Sequence, residues 1–114
     1  MSDLNSFPPR VRALPEHKSR TQGLEGRVQV FKLAADGCDV LFVDAAAGTS
    51  LPSHTHDTDN ATFIVSGEAI VTVDGKEHRY GAGTWYETSA NEPHAVRFEV
   101  ETPHIELRFR SSGR

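Results

Sequence analysis

The chain has one cysteine, Cys38, so no internal disulfide can staple it, and its 114 residues must bury a core of their own. It has no apolar run long enough to span a bilayer, and the opening MSDLNSFPPRVRALPEH lacks the apolar stretch of a secretory signal. Nor is there a concentrated basic cluster. Arg10, Arg12, Lys18 and Arg20 are spread through the first twenty residues, and 12 basic against 16 acidic residues leave a formal net charge of -4. Binding to nucleic acid or to a membrane is therefore not expected, and the expectation is a soluble cytoplasmic protein. No repeat or low-complexity tract competes with a single folded domain.

What is present is β-structure with turn signals. Residues 1–26 are polar and carry Pro8, Pro9 and Pro15, and they read as a partly extended N-terminal arm. Within it Val11 to Leu14 is a candidate edge strand, for this chain or a neighbouring subunit. From Arg27 the pattern is β throughout. RVQVFKL and CDVLFVD flank an Asp36-Gly37 turn, and EAIVTV and KEHRY flank Asp74-Gly75, the signature of tight hairpins. Ala45 to Pro52 reads as a loop. The last strand, His104 to Arg110, puts Ile105, Leu107 and Phe109 on one face and Glu106, Arg108 and Arg110 on the other. About eight short strands with such punctuation predict a β-sandwich or barrel over residues 27–110, with 111–114 as a disordered tail. Trp85, Tyr86, Phe42, Phe63 and Phe98 are the aromatic candidates for its core, and Cys38 is read as a strand residue.

Two histidines, His54 and His56, stand one residue apart before the apolar run Phe63 to Val65. Strand residues i and i+2 share a face and lie roughly 7 Å apart, close enough for two imidazoles to converge on one ion. His94 is the best third ligand, because His94, Val96, Phe98 and Val100 share one strand face. His17, His78 and His104 read as surface or rim residues. Asp57 and Asp59 belong to a solvated loop, although either carboxylate is chemically able to join the set.

These two stretches resemble the two motifs of the cupin superfamily. Gly48, His54, His56 and Gly67 match the first, G-x5-H-x-H-x3,4-E-x6-G, with Asn60 in the place of its glutamate. Gly83 and His94 match the second, while Ser89, Asn91 and Phe98 replace its proline, glycine and asparagine. Asn91 is a mild departure, since asparagine tolerates left-handed backbone. The resemblance covers roughly Arg27 to Phe109. It implies an all-β fold, a double-stranded β-helix or jelly-roll barrel, of the small single-domain bacterial, RmlC-like kind.

The resemblance further implies a divalent transition metal on His54, His56 and His94, with Asn60 as a weaker fourth ligand. Iron(II) is favoured, with zinc, nickel, manganese and copper as alternatives. Three neutral imidazoles leave open coordination positions, as in the family's non-haem iron(II) dioxygenases, so the expected function is a metal-dependent, oxygenase-type enzyme acting on a small organic molecule. The alternative is a non-catalytic cupin that binds or senses a metal or small molecule. A homodimer in which the arm takes part is expected, since small members of the family commonly pair.

Overall fold

Both Asp-Gly pairs make the hairpins their sequence predicts. In the computed structural model, which describes residues 6–17 and 27–110, β1 (Val28–Ala35) pairs antiparallel with β2 (Cys38–Ala45) across Gly37, whose φ is 77°. Likewise β5 (Glu68–Val73) pairs with β6 (Lys76–Gly81) across Asp74 and Gly75, with φ of 52° and 76°. At Asp74-Gly75 positive φ at both central residues matches the right-handed twist of the flanking strands, whereas at Asp36-Gly37 the glycine alone is left-handed. The predicted tail, 111–114, lies outside the described residues, as do 1–5 and 18–26 of the arm.

The remaining strands are β3 (Thr49–His54), β4 (Asp59–Ile64), β7 (Trp85–Thr88), β8 (His94–Phe98) and β9 (Thr102–Phe109). They assemble into two antiparallel sheets, ordered β1-β2-β9-β4-β7 and β3-β8-β5-β6, which face each other as a jelly roll. The segment read as a loop, Ala45 to Pro52, in fact contributes most of β3, because its Thr49, Ser50 and Leu51 pair with Phe98, Arg97 and Val96. Ala45, Ile64, Ala69, Val71, Val96 and Phe98 form the main buried cluster between the sheets. Each large member contributes about 1.5–3 kcal/mol by leaving water. No helix among the described residues is long and apolar enough to cross a membrane.

Two backbone positions shape turns of the barrel, Gly67 between β4 and β5 and Asn91 in the loop before His94. Gly67 sits at φ 81°, and a Cβ there would lie 2.5 Å from both the Glu101 carbonyl oxygen and Thr102 Oγ1, so only glycine fits. Asn91 sits at φ 65°, in the left-handed region that its side chain tolerates.

Within the arm, the candidate edge strand Val11 to Leu14 does not form. Pro9–Arg12 is a single helical turn, α1, and Pro9 at the first helical position suits its fixed φ. The edge pairing falls later, at Glu16, which bridges Phe31, with His17 N–H donating to the Val30 carbonyl at 2.8 Å. Phe7 packs edge-on against Phe42, centroids 5.6 Å apart. Trp85 is not a core residue: it is 53% exposed and packs at a tilt beside Phe63 on the outer face.

Candidate metal centre

Alternation along β3 would turn His54 away from the interior. Thr49 and Leu51 point inward, and strict period two would place Ser53, not His54, beside them. The register prevents this. Leu51 stands opposite Val96 and His54 opposite His94, so β3 spends three residues where β8 spends two. That β-bulge at Pro52 and Ser53 restores His54 to the inner face. His56 follows in the loop beyond the strand. The two histidine-bearing loops are tied to each other, since Asn91 N–H donates to the His56 carbonyl at 2.7 Å and Ala90 N–H donates to Asp59 Oδ1 at 2.8 Å.

The result is a cluster of three imidazoles. The ring centroids of His54 and His56 are 4.8 Å apart, those of His54 and His94 4.4 Å, and those of His56 and His94 5.3 Å. One ligand atom from each lies within 4.8 Å of the others. Nitrogens on a tetrahedral ion with bonds of about 2.0–2.1 Å stand about 3.4 Å apart, so a shift of about an ångström per ring closes the set.

The hydrogen bonds prepare these rings for ligation. His54 Nδ1 donates to the Pro52 carbonyl at 2.8 Å and His94 Nδ1 to the Glu92 carbonyl at 2.9 Å, each two residues back. A carbonyl can only accept, so Nδ1 carries the hydrogen and Nε2 presents its lone pair. Burial pushes His56 down to about 4, against the attraction of Glu106, so its ring is neutral at pH 7. The donor set therefore fits a divalent transition metal, for which imidazole nitrogen is a good ligand.

Asn60 faces inward from β4 and is buried, but its Oδ1 accepts the Thr58 hydroxyl at 2.6 Å. It lines a different depression, with Asp59, Glu87 and Thr88. Asp59 is occupied by the Ala90 amide described above, and Asp57 lies at an outer depression beside His56 and Arg108.

His54 and His56 open on a cavity of about 360 Å³. Its walls are apolar where Val28, Val30, Leu41 and Val43 line it, and polar where β9 contributes His104, Glu106 and Arg108. His104 is thus not a surface or rim residue. It is 5% exposed, stacked on Phe98 at 5.3 Å, and its Nδ1 donates to the Thr102 carbonyl at 2.9 Å. Burial drives its pKa down, against the Thr102 hydrogen bond, and the ring stays neutral. Burial also pushes the Glu106 carboxyl up, but the Arg108 guanidinium outweighs it by charge and hydrogen bond and holds the carboxyl below its usual range. Sequence reasoning missed this trio. Period-two alternation had separated it from Ile105, Leu107 and Phe109, yet alternation does not say which face lines the interior. His17 lies at the same cavity, and His78 is exposed on β6.

Comparison with known proteins agrees with this architecture. The family model for the cupin domain matches residues 41–107. No curated protein matches significantly. Among solved structures, a cupin superfamily protein from Desulfitobacterium hafniense is 20% identical, with 75% of this chain and 80% of that chain covered and a TM-score of 0.70. An RmlC-like cupin from Shewanella frigidimarina is 16% identical, covering 86% and 96%, with a TM-score of 0.69. The DMSP lyase DddQ from Ruegeria pomeroyi is 22% identical over 90% of this chain and 59% of that one, with a TM-score of 0.76.

Proposed function

The chain belongs to the cupin family, and from that premise we propose that it is a metal-dependent enzyme of the non-haem iron(II) oxygenase type, acting on a small organic molecule. The observation that carries this reading is the convergence of His54, His56 and His94, two of which open directly on an apolar cavity. Iron(II) is the favoured ion, ahead of zinc, nickel, manganese or copper. When bound, it supplies a Lewis acid and a site for O₂. The residues do the rest. His54 and His94 are held in one tautomer by backbone carbonyls, Val28, Val30, Leu41 and Val43 exclude water, and β9 presents polar groups to the substrate. Asn60 would be a weaker fourth ligand, because its amide oxygen is neutral and is already shared with the Thr58 hydroxyl.

A second reading, metal-assisted proton transfer of the lyase or isomerase kind, rests on Glu106, a carboxylate in the same cavity. The similarity to a DMSP lyase is one of fold and does not choose between the two. Oxygen uptake does. Under iron(II), the protein is expected to consume O₂ with a member of a panel of thiols, diketones and hydroxylated aromatic acids. Asn60→Glu is expected to bind metal more tightly and consume less O₂, because a carboxylate fills a position that substrate or O₂ needs. A fully iron-loaded protein that consumes no O₂ with any of them contradicts the oxygenase reading.

A further inference from the structure

We infer that the inward face of β9 selects the substrate, and that it takes a small carboxylate bearing a hydroxyl group at its far end. The carboxylate end rests on the metal centre proposed above; the hydroxyl end rests on β9 alone.

The first observation is an ion pair where none is needed for folding. Arg108 Nε donates to Glu106 Oε2 at 2.5 Å, and the two side chains are 31% and 17% exposed, at the cavity wall. An apolar pair of similar volume would serve a barrel interior as well, since desolvation offsets most of the attraction of such a pair. The second observation is what the pair leaves over. Glu106 Oε1 and His104 Nε2 have no partner among the described residues, and Asp44 Oδ1 is the one partnerless side-chain polar atom there that is shut off from solvent. Both acceptors therefore open on the cavity. A ligand that displaces water from either one must bring a donor to it.

Charge decides which donor. The Glu106–Arg108 pair is neutral as a unit, and His104 is a neutral ring, so an ammonium group would sit uncompensated against Val28, Val30, Leu41 and Val43. A hydroxyl carries no such cost. At the other end, three neutral imidazoles leave the full charge of a divalent ion uncancelled, which favours an anionic oxygen ligand. A cavity of about 360 Å³ holds only a small molecule between the two.

The test uses matched carboxylates of four to six carbons, unsubstituted, ω-hydroxylated and ω-aminated, titrated by NMR into zinc-loaded and metal-free protein. A hydroxylated member is expected to bind about tenfold tighter than its unsubstituted match, and its amino counterpart no tighter. In Glu106→Leu/Arg108→Leu, which leaves no lone charge behind, the preference falls below about threefold while metal content is unchanged. His104→Phe keeps the stack on Phe98 and also lowers the preference, which provides an answer if the double variant fails to fold. Equal affinity for the three classes, or a hydroxyl preference that survives in the folded variants, overturns the inference. Absence of metal binding would count against the metal centre alone, because the hydroxyl preference is read on the metal-free protein as well.

Discussion

His94 stands directly opposite His54 across the β3–β8 pair, their ring centroids 4.4 Å apart. Forty positions of sequence separate them, and the pairing depends on the bulge at Pro52 and Ser53. Deleting Ser53 removes the extra residue and turns His54 outward, so metal binding is expected to fall from about one ion per chain to near zero with every histidine still present. Circular dichroism should show the β-fold retained. Undiminished metal content in the deletion variant would show that the bulge does not orient the site.

The buried ring of His104 makes stability depend on pH. Its folded pKa lies below the ordinary 6.5, so between the two values the unfolded chain binds more protons than the folded one. Stability is then full above about pH 6.5 and falls as pH drops below it. His104→Phe is expected to flatten this acid limb, by at most about 1.4 kcal/mol per pH unit, one proton's worth. Urea melts of both proteins at several pH values between 4.5 and 7.5 give the measurement, and parallel limbs would rule the effect out.

Much of the fold was legible in residues. Asp36-Gly37 and Asp74-Gly75 marked two hairpins because glycine readily takes the positive φ that each turn uses, and the two histidine motifs had spacings that pointed to a jelly roll. His94 could be named because alternation along its strand announces which residues share a face, and His54 and His56 by their spacing, although His56 reaches the set from the loop beyond β3 and His54 by way of a bulge. What alternation does not give is the sign of the face. On β9 the apolar residues Ile105 and Leu107 turn outward and the charged ones turn in, the reverse of the usual reading, because the interior at this strand is a cavity and not a packed core. The bulge in β3 was hidden for a related reason: it changes the parity of a strand without leaving a residue type that marks it.

That outward apolar face motivates the proposed homodimer. Phe31, Phe42, Ile105, Phe63 and Trp85 stand in register as one row across all five strands of the larger sheet. Trp85, Leu33 and Phe109 on the same side are 53%, 45% and 45% exposed. We propose that a second copy packs there, sheet on sheet. Sedimentation is expected to give a dimer at micromolar concentration and a monomer for Trp85→Glu. Phe7 lies on Phe42, one strand in from the edge of this row, so removal of residues 1–20 is expected to weaken the dimer by about tenfold. A monomeric parent protein would contradict the proposal, and an unchanged dimer after truncation would exclude the arm.

If three histidines make one metal site, elemental analysis of protein purified without a histidine tag will show it. After reconstitution with iron(II) or zinc and removal of loose metal, the parent chain is expected to hold about one ion. His54→Ala, His56→Ala and His94→Ala are each expected to lose most of it, while His17→Ala and His78→Ala keep it. Full metal content in all three ligand variants, or a parent chain that holds none after reconstitution, would contradict the account.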